Sequence, residues 1–178
     1  TLALMLGVGC LSLVFGISTA WVVTRFNFPF KFFFEWALLL PAAVPAYIIA
    51  YTYTDFFEYA GPVQGMLRDF FGWKNAQDYW FPNIRSMGGA IFVMASVLYP
   101  YIYLMTRSSF ISTPISFYHA SSIHGKNVFF NVAIPLARPG IVAGLALVLM
   151  ETISDFGTVD YFALETLTLG VFNVWLGM

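Results

Sequence analysis

TLALMLGVGCLSLVFGISTAWVVT, residues 1–24, contains no Asp, Glu, Lys or Arg. Neither does WALLLPAAVPAYIIAYTYT at 36–54, nor SMGGAIFVMASVLYPYIYLMT at 86–106. Each run is about the ~20 residues an α-helix needs to cross a bilayer. A helix apolar on every side finds no stable place on the surface of a water-soluble domain. Composition agrees: 60% of the 178 residues are hydrophobic and only 10% charged, too few charges to cover a soluble surface. The chain reads as all-α and polytopic, with its function lying across a membrane.

Four spans are predicted, at 2–23, 35–54, 87–106 and 141–157. In the first, Ser12, Gly16 and Ala20 recur every fourth residue and make a stripe that admits a close neighbour; Gly140 and Gly144 repeat that spacing near the fourth. Pro41 and Pro45 should kink the second span, and neighbouring helices must then satisfy the carbonyls they free. Residues 55–85, with Tyr79-Trp80-Phe81-Pro82, read as an interfacial segment, since Trp and Tyr favour the headgroup level. Residues 108–140 are too polar and broken to span. They read as two short helices: one from the N-cap Thr113 and Pro114 to about His124 with Gly125 as its C-cap, and one from Asn127 ending before Pro135. Residues 166–178 look like re-entry into the membrane. The chain begins near a span and stops in an apolar segment, and is read as a fragment, truncated at both ends.

Basic connectors orient the bundle. Residues 25–31 and 107–140 carry Arg25, Lys31, Arg107, Lys126 and Arg138 and no acid. By the excess of Lys and Arg in cytoplasmic loops, these lie inside, and 55–85 and 155–165 outside. Net charge is −1, and no basic field points to nucleic acid. The single Cys10 excludes an internal disulfide, and no metal cluster or cofactor motif is evident.

Glu151 stands out, because ten residues into a span starting at 141 it falls near the bilayer midplane, where a carboxylate is costly. Asp155 follows at i+4. The pair reads as a lined pathway, an ion site or a structural network; with Pro41 and Pro45 it forms the set of pathway candidates. His119 and His124 are five apart and lie away from Glu151, and no nucleophile elbow or phosphate loop is present. The chain is not expected to be an enzyme.

At 113–141 the sequence resembles the coupling loop of bacterial binding-protein-dependent ABC importer permeases. His119-Ala120-Ser121 stands where that family has Glu-Ala-Ala, and Gly125 is correctly placed. Six residues separate Gly125 from Val132-Ala133-Ile134-Pro135, where the family has nine. Other stretches are similar to ferric-iron permeases: 50–55, Gly61-Pro62-Val63-Gln64, Tyr79-Trp80-Phe81-Pro82, 99–103, and Met150-Glu151 followed by 155–162. The resemblance implies a bundle of the type I ABC importer permease kind, resembling the first half of a fused permease in the bacterial inner membrane. The implied partners are an ABC ATPase subunit, a periplasmic binding protein delivering Fe³⁺, and a second permease half. Thr113, Pro114, His119, Ala120, Ser121, Gly125 and Pro135 would form the ATPase-coupling loop. Two rival readings stand beside it: a permease for another small ion or organic solute, and a channel or membrane scaffold not linked to ATP.

Overall fold

The computed structural model describes residues 1–123 and 127–177. All regular elements among them are helical. Among the described residues three helices are long and apolar enough to span a bilayer, or four if the bent pair Lys31–Ala43 and Ala46–Phe71 makes one broken span: α1 (Leu2–Arg25), α5 (Met87–Ser112) and the continuous run Phe129–Ser154, whose α-helical part is α7 (Ile134–Ser154).

α5 is the central element, packed against both α1 and α7. Small residues bring the three together. Ser12, Gly16 and Ala20 of α1 are fully or almost fully buried. A methyl group on Gly16 would stand 2.7 Å from Ile102 Cβ, and one on Gly144 of α7 would stand 2.7 Å from Ile102 Cα. Ile102 is thus held between two glycines, at a spacing no larger residue permits. Leu4, Val8, Val93, Met94, Leu98 and Val148 complete this apolar core.

The stretch expected as one kinked span at 35–54 is instead broken. It forms α2 (Lys31–Ala37), a 3₁₀ turn (Leu40–Ala43) and α3 (Ala46–Phe57), and the direction changes by 100° between Lys31–Ala43 and Ala46–Phe71. Pro41 sits at the start of the 3₁₀ turn and Pro45 caps α3. Two imino residues four apart remove consecutive donors from any continuous ladder.

The connector 108–140 also differs from expectation. α5 continues past Arg107 to Ser112. The Thr113 hydroxyl donates to the Ser109 carbonyl at 2.9 Å and so closes α5 instead of opening α6 (Ile115–Ile123). Asn127 does start a helix: its Oδ1 accepts from the Phe129 and Phe130 amides. That helix does not stop before Pro135. A π turn (Phe129–Ala133) leads directly into α7, and Pro135 occupies its first turn, where a missing donor costs little.

Outside the bundle, α4 (Pro62–Phe71) and residues 72–86 fold into a small layer. Gln64 is buried at its centre, donating to the Phe57 carbonyl at 2.7 Å and accepting from the Tyr79 hydroxyl at 2.6 Å. Phe71, Trp73 and Tyr79 stack in series. α8 (Gly157–Tyr161) turns the chain back toward α3, and α9 (Leu167–Trp175) projects with its apolar side chains exposed.

Candidate functional site

The basic end of the bundle is organised around Trp21 of α1. Its ring lies 5.5 Å from Phe110, 5.0 Å from Phe129 and 6.5 Å from Tyr118. Tyr118 is the buried anchor of α6, with its hydroxyl donating to the Phe110 carbonyl at 3.4 Å and Arg25 5.4 Å over its ring. Ile115, Phe117 and His119 are exposed. α6 is therefore pinned through Tyr118 to α1, α5 and the π turn; Ile115 and His119, four apart, share one exposed side, and Phe117 is exposed on another. Ser121 is buried, with no hydrogen-bond partner for its hydroxyl among the described residues. Ala120 lies on α6, Thr113 and Pro114 lie just before it, and Pro135 enters α7. Gly125, with His124 and Lys126, lies outside the described residues.

A second cluster holds the broken helix, and sequence reasoning missed it. Tyr99, Tyr103 and Arg107 follow at i, i+4 and i+8 on α5, hence on one face. The Tyr99 hydroxyl donates to the Leu38 carbonyl at 3.0 Å, and Tyr103 to the Glu35 carbonyl at 3.4 Å. Arg107 pairs with the Glu35 carboxylate at 2.9 Å. The amides that would ordinarily reach these carbonyls belong to residues 39 and 42, and each bonds elsewhere, to Trp36 and Leu39. A neighbouring helix thus supplies the donors that the break requires. The available signal was the four-residue spacing of donor side chains beside a proline-rich span.

At the opposite end the pathway candidates take unexpected places. The run starts at Phe129 and not at 141, so Glu151 is three residues from the last helical residue, Ser154. It lies ~4.5 Å from the helix end, not at mid-span. Its side chain is exposed. Asp155 leaves the helix as the C-cap of α7, and its two carboxylate oxygens accept from the Thr158 amide at 2.7 Å and the Thr158 hydroxyl at 2.9 Å. It serves as a local turn cap. That turn packs on α3: a methyl on Gly157 would stand 3.2 Å from Tyr47 Cβ, and the Tyr51 and Tyr161 rings are 4.2 Å apart. The structure therefore brings the Asp155 elbow against the helix that Pro45 opens, while Pro41 sits on the preceding 3₁₀ turn.

Asp55, Asp160 and Glu165 surround this end; Glu58 pairs with Arg85 at 2.5 Å. That hydrogen bond, followed by the Coulombic attraction of Glu58, raises the Arg85 pKa above its ordinary value.

Residues 12–172 match the family model of the binding-protein-dependent transport system inner membrane component. The chain is 28% identical over 154 residues to the molybdenum transport system permease protein ModB of Escherichia coli K12, covering 85% of this chain and 64% of that protein. It is 27% identical to the molybdate/tungstate transport system permease protein WtpB of Methanocaldococcus jannaschii (84% and 56% covered) and 29% identical to the sulfate transport system permease protein CysW of E. coli K12 (84% and 49%). The chain thus spans about half to two thirds of the length of these relatives. They are named for molybdenum, molybdate/tungstate and sulfate, and do not support the ferric iron expected from the sequence. With its helical bundle and a match over most of its length, the chain belongs to the family of binding-protein-dependent transport system inner membrane components.

Proposed function

We propose that this chain is part of the translocation subunit of an ATP-driven importer for a small inorganic oxyanion of the molybdate, tungstate or sulfate class. The relatives' named substrates support the ion class. The observation that carries the coupling role is the anchoring of α6: one face buried through Tyr118, the other free. A separate ABC ATPase would dock on the side of α6 that carries Ile115 and His119. Movement of α6 would pass through Tyr118 and Trp21 into α1 and α5. A periplasmic binding protein would meet the 55–85 layer and the α7–α8 elbow, and a second permease half would cover exposed faces of α7 and α9. ATP drives such a cycle only through unequal affinity of the ATPase and binding protein for the two states of the bundle.

The proposed setting is the bacterial inner membrane, with 25–31 and 107–140 on the cytoplasmic side. Glu151 and Asp155 would lie at the outer mouth, which gives them a part in admitting the ion and not in a mid-membrane relay.

One observation favours a cation instead: Asp55, Glu151, Asp155, Asp160 and Glu165 all lie toward that end, where a negative field repels anions. Ferric iron is the alternative on that ground. Reconstitution with the cognate ATPase and binding protein tests both. Uptake of molybdate or sulfate, with none of Fe³⁺, is the expected result; Fe³⁺ uptake alone would overturn the oxyanion reading. Gly125→Pro is expected to abolish ATPase co-purification, and its survival would remove the coupling role from this segment.

A further inference from the structure

Between α1 and α2 runs a groove of about 300 Å³, lined by Ser18, Thr19, Val22, Phe28, Phe34 and Leu38. Its two hydroxyls are already engaged. Ser18 Oγ donates to the Val14 carbonyl at 2.5 Å, and Thr19 Oγ1 to the Phe15 carbonyl at 2.6 Å. The groove offers an occupant hydrocarbon contact and no free hydrogen bond. Its volume is at the lower end for small-molecule sites and too small for another helix.

Cations flank one end. Arg25 follows Val22 by three residues and Ser18 by seven; Lys31 precedes Phe34 by three and Leu38 by seven. Helical register therefore sets each on the groove side of its helix. Arg25 is exposed, with the Tyr118 ring at 5.4 Å beneath its guanidinium. Among the described residues, which include every acid of the chain, neither cation forms an ion pair. Phe26 and Phe30 are exposed beside them, where an apolar ring would enter the interfacial zone.

We propose that this groove holds one acyl chain of an anionic glycerophospholipid, whose phosphate lies between Arg25 and Lys31. Apolar walls select hydrocarbon, and two cations without an ion pair among the described residues select negative charge at the headgroup level. A zwitterionic lipid fills the groove equally well but carries its own cation toward Arg25 and Lys31. The site depends on the membrane location of the chain and not on the transported ion.

Native mass spectrometry of the chain released from nanodiscs tests this, using equal phosphatidylglycerol and phosphatidylcholine with matched acyl chains. Phosphatidylglycerol is expected to be retained about tenfold over phosphatidylcholine. The Arg25→Gln, Lys31→Gln double variant is expected to bring the two to parity. Ser18→Trp, which fills the groove and leaves both charges, is expected to release both lipids. Parity in the unaltered chain, or an unchanged preference in the double variant, would overturn the proposal. Retention of neither lipid assigns the groove to another polypeptide segment and also overturns it. Displacement of phosphatidylglycerol by soluble glycerol phosphate would do the same, since the acyl chain would then contribute nothing.

Discussion

α5 carries Pro100 in its interior and runs unbroken for 26 residues, whereas the equally apolar stretch around Pro41 and Pro45 breaks into α2, a 3₁₀ turn and α3. The difference is in the surroundings. Pro100 is fully buried on a helix gripped on two sides by α1 and α7. Packing there outweighs the lost hydrogen bond and the ring's clash with the preceding turn, together ~3 kcal/mol. Around Pro41 and Pro45 the chain is largely exposed: Trp36 is 63% and Leu40 64% accessible. Nothing opposes the break, and two prolines act four residues apart. The broken segment is held by a row of donors on α5, together with Leu38 and Leu39 packed against the buried cluster around Tyr103. One helix therefore does both jobs: its buried faces make the bundle, and its Tyr99–Tyr103–Arg107 face fixes the segment beside it.

This contrast predicts a gradient of sensitivity. The largest effect is expected at the inner bundle. Gly144→Leu forces a side chain against the Ile102 backbone, which cannot yield as a flexible side chain would. A loss of about 3 kcal/mol, at the upper end of overpacking costs, is expected, read as early thermal unfolding in detergent. A tolerated Leu would mean that α5 and α7 separate easily and that packing does not explain the unbroken Pro100.

Next comes Arg107→Met. It leaves Glu35 partly buried without a cation. Both side chains are about a quarter accessible (28% and 24%), so the cost is expected near ~2 kcal/mol, below that of a fully buried pair. The companion Glu35→Gln, Arg107→Met variant should recover part of it. If the single variant unfolds no earlier than the unaltered chain, the donor row does not hold the broken segment.

Tyr99→Phe removes one donor and leaves the Leu38 carbonyl unsatisfied, at about 1–2 kcal/mol. Faster hydrogen exchange confined to 35–45 is the expected signature; uniform acceleration over α5 would contradict the division of labour.

The smallest effect is expected in the outer layer. Asp78 accepts from the Asn75 and Lys74 amides, which, in that order, lower its pKa below the ordinary value of 3.8. A depressed carboxylate contributes stability above its unfolded pKa and loses it as pH falls through the folded value. Acidification below about pH 4 should therefore loosen the turn beside Trp73, seen in its fluorescence. Asp78→Asn should remove that acid step without affecting the bundle.

Particular residues show how far the sequence could be read. The small stripe Ser12–Gly16–Ala20 and the pair Gly140 and Gly144 were legible because close approach has a spacing signature. The expectation of outside donors pointed to carbonyls 37 and 41, which Pro41 and Pro45 deprive of partners; the outside donors instead meet the Glu35 and Leu38 carbonyls, and the Pro41 carbonyl accepts from the Val44 amide. Arg107 looked like a loop charge, because a helix that crosses a charge without ending leaves no local sign. Glu151 was placed too deep for a related reason. The π turn carries the helix through Pro135, and neither π geometry nor a proline tolerated in a first turn can be seen in hydrophobic periodicity.

By itself, then, the amino-acid order determined that long apolar helices form, that small residues let some of them touch, and that basic connectors gather at one end, because hydrophobicity, side-chain size and charge are properties of each residue alone. Only the tertiary structure decided which proline breaks a helix, where Glu151 and Asp155 end up, and which donors meet the freed carbonyls. Those outcomes depend on what packs against each face, and partners from distant parts of the chain are known only once the helices have come together.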